Sequence, residues 1–197
     1  MKIGILDYKN CSILSIISVF LVHNIKIEII TNPYQIQKLD KIILPGVSAT
    51  NKIMNFLKEN NFINEIKEFA DKNKSILGIC AGMQILGKNL HENELTTGLG
   101  FFDADVLKIS KEISDQSTNM GWINVIANND FKNYYFCHSF YMKFINENDK
   151  SIHGFINLKK KIPAFIKKDN IIGLQFHPEK SQSNGRNIIS KFINNEI

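Results

Sequence analysis

Short apolar runs alternate with helix-like segments through the first half of the sequence, and this order constrains the fold more than any other feature. Strands are predicted at residues 2–7, 25–30, 41–44 and 75–79. Helix-like spacing of apolar residues is found at 12–23, from about 51 to 73, and after Cys80 to Leu90. A helix between two strands crosses one face of the sheet and returns the chain in the same direction, so the strands pair in parallel. We therefore predict an α/β fold with a mostly parallel central sheet flanked by helices.

The second half has a different pattern, in which strand-like runs follow one another closely. They lie at residues 122–126, 134–137, 142–145, 151–156, 164–167 and 171–176. Little helix separates them before a final helical segment at 185–195, so we predict an additional mixed or antiparallel region. No repeat, low-complexity tract or Pro/Gly/Ser-rich linker divides the chain. We predict one domain over residues 1–197.

The composition predicts a chain that folds without disulfide bonds or structural metal ions. Of its 197 residues, 44% are hydrophobic, which is enough to build a core. The longest apolar stretches fall short of the roughly 20 residues that a membrane span needs. Asp7 interrupts the N-terminal run too early for a secretory signal. Cys11, Cys80 and Cys137 form no Cys-x-x-Cys pair, so we expect reduced thiols, a cytoplasmic location and no membrane partner.

The positive charge of the chain does not by itself indicate nucleic-acid binding. Lysine and arginine number 24 against 19 acidic residues, a net charge of +5. Only Arg186 is an arginine, although bidentate recognition of phosphate depends on that side chain, and most of the lysines are scattered. We expect no nucleic-acid partner. No His/Cys/Asp cluster has the spacing of metal ligands, so we expect no metal and no cofactor.

The first candidate for chemistry is Cys80 in the segment Gly-Ile-Cys-Ala-Gly, residues 78–82. A nucleophile between two glycines, after a buried strand and before a helix, has the form of a nucleophile elbow with Cys in place of Ser. The helix N-terminus presents free N–H groups that favour a thiolate and can stabilise an oxyanion. Loss of one such donor costs about 2.7–4 kcal/mol of barrier. A buried structural cysteine is the alternative that this segment alone leaves open.

The second candidate is the pair His177 and Glu179 at the end of a predicted strand. Acyl transfer by a cysteine needs a base to take and return a proton, and an acid to orient that base. A spacing of two around Pro178 lets both side chains project to one side of an extended segment. A lone His-x-Glu is also compatible with a surface turn, and it is the combination with Cys80 that favours catalysis. His138 lacks such an orienting acid, so we interpret it as structural or as positioning substrate through its main chain.

A third element is the Leu-Pro-Gly-Val-Ser segment at residues 44–48, which follows its own strand. An isolated Pro-Gly pair is typical of a simple turn. The carboxyl ends of neighbouring parallel strands converge on one crevice, however, and this loop is expected beside Cys80. Its N–H groups would then complete an oxyanion site.

The sequence as a whole resembles the class I, triad-type glutamine amidotransferases. The most specific motifs are Cys-Ala-Gly-Met-Gln at residues 80–84 and Gln-Phe-His-Pro-Glu-Lys-Ser at 175–181. Further matches are residues 3–5, 44–47, 98–100, 120–122 and 135–139. Within the family, the resemblance is nearest to the glutaminase subunits that serve imidazole glycerol phosphate synthase in histidine biosynthesis. It implies a single domain that hydrolyses L-glutamine to L-glutamate and ammonia.

The resemblance also implies roles for individual residues. Cys80 would be the nucleophile that forms a glutamyl thioester, His177 the general base and acid, and Glu179 the group that holds His177. The implied oxyanion donors are the backbone groups of Gly46, Val47 and Ala81. The implied glutamine-binding residues are Gln84, His138, Ser139 and Phe140. The implied partner is a β/α-barrel cyclase in a heterodimer, contacted by Trp122 and Lys180; a core aromatic and a solvated charge are the alternative interpretations of these two.

Three departures from the family pattern leave the ammonia acceptor open. Residues 9–12 replace a Gly-x-Gly-Asn turn, Ser48 replaces a glycine, and Thr118-Asn119 stand where Pro-His is usual. Ser48 removes a residue free to take positive φ beside the oxyanion peptide. The same chemistry could supply an ATP-dependent amidotransferase of cell-surface sugar biosynthesis. A non-catalytic binding protein on the same fold is a second alternative.

Overall fold

The computed structural model describes residues 1–9, 13–46, 48–127, 130–146 and 148–197. Of the predicted features, Asn10, Cys11, Ser12 and Val47 lie outside the described residues. The first half contains β1 (Ile3–Leu6), α1 (Leu14–Leu21), β2 (Ile27–Ile30), β3 (Lys41–Leu44), α2 (Thr50–Glu59), α3 (Phe62–Asp71), β4 (Ser75–Ile79) and α4 (Ala81–Gln84). A 3-10 helix at Pro33–Lys38 links β2 to β3.

The rest of the chain is mostly strand. It contains β5 (Asn89–Glu92), β6 (Glu94–Thr97), β7 (Ala104–Lys108), β8 (Asn119–Ala127), β9 (Asp130–His138), β10 (Phe140–Phe144), β11 (Ile152–Asn157), β12 (Lys161–Lys168) and β13 (Ile171–Leu174). A 3-10 turn at Pro178–Lys180 then leads to the last helix, α5 (Gln182–Asn194). The predicted division into a strand–helix half and a strand-rich half is confirmed.

Among the described residues, nine strands form the main sheet, in the order β2-β1-β3-β4-β13-β12-β11-β8-β9. The five strands from β2 to β13 pair in parallel, and the remaining pairings are antiparallel. A second sheet has the order β10-β7-β5-β6. The predicted fold class, a mostly parallel sheet with an added mixed and antiparallel region, is confirmed.

Two apolar layers make up the core. One contains buried side chains of α1 and α5, such as Phe20 and Phe192, and the other contains those of α2 and α3. The spacing of Phe62, Ile66 and Phe69 puts all three on one face of α3, and each is at most 1% exposed. Because helices cover the inner parallel strands, β1, β3, β4 and β13 are buried on both faces, whereas the edge strand β2 exposes Glu28 and Ile29.

The helix predicted from Cys80 to Leu90 is wrong beyond Gln84. The carbonyl groups that would continue it accept bonds from a distant loop instead, since Leu99 N–H donates to Ile85 O at 2.8 Å and Phe101 N–H donates to Leu86 O at 2.9 Å. Residues 89–92 then form β5, and β5, β6 and β7 were all missed. The chain leaves the helix because tertiary partners take its backbone acceptors.

The single helical segment predicted at 51–73 is two helices. Asn61 between them adopts the left-handed conformation with φ of 60°, which ends the helical path of α2. Among the described residues, no helix is both long enough and apolar enough to cross a membrane.

Candidate active site

The candidate site lies where the parallel strands β3, β4 and β13 end, at the carboxyl edge of the sheet. A cavity of about 470 Å³ opens there. Its walls come from both halves of the chain and include Gly46, Ser48, Ala49, Cys80, Ala81, Gln84, Glu92, Thr118, Cys137, His138, Ser139, Phe140, His177 and Lys180. The structure therefore brings most of the predicted site residues into one pocket.

Cys80 occupies a tight turn between β4 and α4. Its φ is 53° and its ψ −112°, a conformation that side-chain-bearing residues rarely adopt and that costs about 1–3 kcal/mol. The Cys80 N–H donates to Leu174 O at 2.7 Å, which ties the turn to β13. A Cβ on Gly78 would lie 2.4 Å from Gly82 O, so the turn needs glycine there. This geometry is that of the predicted elbow, and Cys80 is 6% exposed in the pocket.

His177 is fixed next to Cys80 by its own backbone and by Glu179. The His177 N–H donates to Tyr135 O at 2.8 Å, and the Ser181 hydroxyl donates to His177 O at 2.6 Å. The imidazole Nδ1 lies 2.7 Å from Glu179 Oε1, and both side chains are buried. Because a carboxylate only accepts, Nδ1 carries a proton, and the ring lines the same pocket as Cys80.

The surroundings of His177 favour its protonated form. Burial lowers the pKa of His177, but hydrogen bonds and opposite charges from Cys80 and Glu179 outweigh it and raise the pKa to about 10. Near pH 7 the site is therefore set up as an imidazolium between a sulfur and a carboxylate. The imidazolium can deliver a proton to a leaving group, and the neutral imidazole that results can take one from water.

The predicted oxyanion loop packs directly against the elbow. A Cβ on Gly46 would lie 2.1 Å from Ile79 O and 2.2 Å from Ala81 N, so only glycine allows this approach. Ala81 is the first residue of α4, and the first N–H groups of a helix have no partner within it. The third predicted donor, Val47, lies outside the described residues.

The predicted glutamine-binding residues surround the other side of the pocket. Gln84 is 3% exposed, and its Nε2 donates to Phe140 O at 2.8 Å. The Ser139 hydroxyl lies 2.8 Å from the hydroxyl of Thr118. The first contact holds Phe140 against α4, the second holds Ser139 against the residue before β8, and all four residues line the pocket.

His138 lies in the same pocket with contacts unlike those of His177. Its Nδ1–H donates to Phe140 O at 2.8 Å, and its Nε2 lies 2.9 Å from Asn119 Nδ2. Burial is the largest influence and, with the charge of His177, lowers the pKa of His138 to about 4, although the bond to Phe140 opposes this. A neutral ring with both nitrogens engaged is suited to holding the backbone rather than moving protons.

Trp122 and Lys180 lie on the surface beside the pocket. Both contact the ring of Tyr135: the Trp122 ring centroid is 6.0 Å away, and Lys180 Nζ is 5.6 Å from the Tyr135 centroid. Trp122 is 45% exposed, so it is not a core aromatic. Met120, in the same strand β8, is 61% exposed. Together these side chains form a partly apolar surface with one cation.

Sequence reasoning missed two polar contacts at the site. Gln175 is completely buried, and its Nε2 lies 3.8 Å from Cys80 Sγ. Its spacing of two from His177 was the available signal. Glu92 Oε2 accepts from Thr50 N–H at 2.6 Å and from the Thr50 hydroxyl at 2.8 Å, which caps α2. No local pattern indicated that pair, since β5 itself was not predicted.

Comparison with known proteins assigns the family. The family model of class I glutamine amidotransferases matches residues 5–195. The chain belongs to this family. Imidazole glycerol phosphate synthase subunit HisH 1 of Campylobacter jejuni (strain RM1221) is 35% identical over 201 residues, covering 97% of this chain and 98% of that protein. The HisH subunit of Lactococcus lactis subsp. lactis (strain IL1403) is 36% identical over 201 residues, covering 98% of both.

Solved structures of low sequence identity share the fold. A crystal structure of a glutamine amidotransferase has a TM-score of 0.80 at 14% identity, covering 98% of both chains. The structure of PurLQS from Thermotoga maritima has a TM-score of 0.79 at 17% identity, covering 100% of this chain and 99% of that one. The described residues contain no cluster of three or more His, Cys, Asp or Glu that could hold a metal ion.

Proposed function

We propose that this class I glutamine amidotransferase is the glutaminase subunit of an imidazole glycerol phosphate synthase. It hydrolyses L-glutamine and passes the ammonia to a cyclase subunit in histidine biosynthesis. The observation that carries the chemistry is that Cys80 and His177 line one pocket, while His177 Nδ1 lies 2.7 Å from Glu179 Oε1. The pathway is supported by full-length relatives named as HisH subunits of that synthase, which do not favour the sugar-biosynthesis alternative.

In the first half of the reaction, the Cys80 thiolate attacks the side-chain amide carbon of glutamine. A carbon–sulfur bond forms, and the carbonyl oxygen becomes an oxyanion that backbone N–H groups near Ala81 and Gly46 stabilise. The tetrahedral intermediate then collapses, and the carbon–nitrogen bond breaks. His177, protonated at neutral pH, gives its proton to the departing nitrogen, so ammonia leaves and a glutamyl thioester remains.

In the second half, water attacks the thioester carbon while neutral His177 accepts a proton from it. The carbon–sulfur bond breaks, and its electron pair returns to Cys80 as thiolate. Glutamate leaves, and the imidazolium–thiolate pair is restored. Throughout, Glu179 keeps a proton on Nδ1 and so holds the other ring nitrogen toward the sulfur.

Substrate is positioned by the wall opposite the nucleophile. Gln84 and the main chain of His138, Ser139 and Phe140 bind the amino-acid head group of glutamine. The contact between Gln84 and the Phe140 carbonyl keeps these groups in one arrangement. Such fixed placement contributes to rate because the reacting atoms start close together.

The partner is a β/α-barrel cyclase that docks beside the pocket and forms a heterodimer. The surface around Trp122 and Lys180 supports this docking position, because the surface is partly apolar and Lys180 also lines the pocket. The departures Ser48 and Thr118 also line the pocket. We expect the complex to work in the cytoplasm, where the free thiols Cys80 and Cys137 remain reduced.

The chemistry is tested by glutamate release from glutamine. We expect Cys80→Ala to reduce the rate about a thousandfold or more, because no nucleophile remains. Cys137→Ala is the matched control: it removes a thiol from the same pocket but keeps the backbone carbonyl, so hydrolysis should continue. Equal rates for wild type and Cys80→Ala would refute the proposed function.

The acceptor is tested by binding and stimulation with the barrel cyclase of an imidazole glycerol phosphate synthase. Trp122→Ala should weaken binding and the stimulated rate while leaving the rate of the isolated subunit unchanged. Tyr34→Ala is the control, since Tyr34 is 75% exposed and follows β2 at the opposite edge of the sheet. No binding of the wild-type protein to the cyclase would contradict the proposed pathway but leave the glutaminase chemistry intact.

A further inference from the structure

Gln175 is a buried amide that the proposed mechanism does not use. It follows β13, has no exposed surface and lies between Cys80 and Gln84. Its Oε1 is 3.1 Å from Gln84 Nε2, and its Nε2 is 3.8 Å from Cys80 Sγ. A buried amide without such partners would cost about 1–3 kcal/mol, so its contacts matter to the fold as well.

The direction of this hydrogen-bond series is fixed at one end by a backbone carbonyl. Phe140 O can only accept, so the group of Gln84 that faces it at 2.8 Å must be the amino group. The His138 ring donates to the same oxygen and does not change this requirement. Gln84 Nε2 therefore points its second hydrogen at Gln175, which must present its carbonyl oxygen.

It follows that the amino group of Gln175 faces the sulfur. The alternative orientation of the Gln175 amide would put two amino groups against each other at Gln84 and a carbonyl oxygen against Cys80. The first contact would have no acceptor, and the second could not donate to a thiolate. Cys80 Sγ also lies 3.8 Å from Cys137 O, a carbonyl that can accept from a thiol but cannot stabilise a thiolate. The series of hydrogen bonds thus ends with a Gln175 N–H directed at Cys80 Sγ.

We propose that Gln175 is a further catalytic residue that donates a hydrogen bond to the Cys80 sulfur and stabilises its thiolate form. The role rests on the proposed glutaminase function, but the donor itself can be tested on the thiol alone. A hydrogen bond to sulfur is strongest when the sulfur is charged. The bond therefore increases the thiolate fraction before attack and assists departure of the sulfur when the thioester is hydrolysed.

The same hydrogen bonds fix the orientation of the Gln84 amide. Both of its N–H groups are used, one by Phe140 O and one by Gln175 Oε1. Its own Oε1 is then the atom left to accept a hydrogen bond from bound substrate. The Phe140 carbonyl thus orients two groups: Gln84 Oε1, which accepts from substrate, and the Gln175 amino group, which donates to the Cys80 sulfur.

The test is the rate of Cys80 alkylation by iodoacetamide as a function of pH. In this reaction the thiolate attacks the iodine-bearing carbon and iodide leaves, so neither glutamine nor His177-assisted hydrolysis is needed. Gln175→Glu is nearly isosteric and keeps an acceptor for Gln84 but loses the N–H. Gln175→Met removes both polar groups. We expect each to slow alkylation about tenfold near neutral pH and to move the profile to higher pH.

Gln37→Met is the matched control. It removes a half-buried amide whose Nε2 donates to Glu65 Oε2 at 2.9 Å, on α3 rather than at the pocket. Its alkylation profile should match that of the wild type. A folded Gln175 variant with the wild-type profile would overturn the inference. Alkylation does not depend on glutamine hydrolysis, so failure of the proposed function would be seen separately.

The wild-type protein provides a second measurement that needs no Gln175 variant. Alkylation converts the Cys80 sulfur that the Gln175 amide faces into a neutral thioether, so one side-chain amide proton resonance of Gln175 should shift in the NMR spectrum. The Gln37 amide resonances should not change. An unchanged Gln175 resonance would contradict the proposed hydrogen bond.

Discussion

Two histidines share the pocket, and their neighbours give them opposite acid–base behaviour. His177 faces a sulfur and a carboxylate, which raise its pKa to about 10 against the effect of burial. His138 faces a carbonyl and an amide, and burial lowers its pKa to about 4. The sequence predicted His177 as the base because an acid follows it by two residues. That assignment stays a prediction, and the contacts support it.

The proton on His177 depends on the charge of Cys80. We predict that the pKa of His177 falls in Cys80→Ser, because the hydroxyl stays neutral and contributes no opposite charge. NMR titration of the imidazole resonances measures this directly. In the wild type the ring should remain protonated from pH 6 to beyond pH 8, as in the control Cys137→Ala. An unchanged titration in Cys80→Ser would mean that sulfur does not set the protonation state.

His138 should make the fold less stable in mild acid. Its folded-state pKa of about 4 lies below the unfolded value of about 6.5, so the unfolded chain binds more protons between these values. Stability from this group is complete above about pH 6.5 and is lost as pH falls toward 4. His177 acts in another window, because its raised pKa makes stability fall as pH rises from about 6.5 to 10.

Urea unfolding of His138→Gln tests this. The variant lacks the titrating ring, so its free energy of unfolding should fall less between pH 7 and pH 4.5 than that of the wild type. The difference between the pH dependences of the two free energies of unfolding cancels the contribution of groups common to both proteins. Parallel pH dependences would contradict the lowered pKa.

At the scale of elements, the site depends on close backbone contact between the loop after β3 and the turn after β4. A Cβ on Gly82 would lie 1.9 Å from Leu44 O, and one on Gly46 would overlap the backbone of residues 79–82. The sequence predicted that the loop with Gly46 lies beside Cys80, but it could not indicate how closely the two backbones approach. The contact follows from the parallel register that pairs Leu44 with Gly78.

We predict that Gly46→Ala pushes this loop away from the elbow. The overlap is with backbone atoms, so the free energy of unfolding should fall by about 1–3 kcal/mol, and glutamine hydrolysis should be largely lost. Gly154→Ala is the control, because its Cβ would meet Val125 Cγ1 at 3.0 Å, far from the pocket in β11. Thermal unfolding and activity measure the two effects. Wild-type activity in Gly46→Ala would show that the close approach is dispensable.

Local patterns predicted strands well where the apolar runs were short and bounded. They predicted β3 and β4 with the observed limits. They failed at residues 85–90, where the loop around Leu99 takes the backbone acceptors that a helix would use. They also predicted one helix in place of α2 and α3. Asparagine occurs in helices as well as in the left-handed conformation, so Asn61 alone did not indicate a break.

At the scale of the molecule, the pocket is assembled from segments far apart in sequence. The parallel half supplies Cys80 and the loop with Gly46, whereas the antiparallel half supplies the wall with His138. In the register of β8 and β9, Asn119 is opposite His138, which places their side chains in contact. Periodicity alone could not predict this, because it depends on strand order. Resemblance to the family supplied the long-range assignment.

The central claim is that Cys80, activated by His177, carries the glutamyl group during hydrolysis. Acid quenching during turnover of glutamine, followed by peptide mass mapping, measures this directly. We predict a glutamyl thioester on the peptide that contains Cys80, and an accumulation of it in Gln175→Glu, where the sulfur departs less readily. Steady glutamate formation with Cys80 unmodified in every quenched sample, or with full rate in Cys80→Ser, would contradict the account.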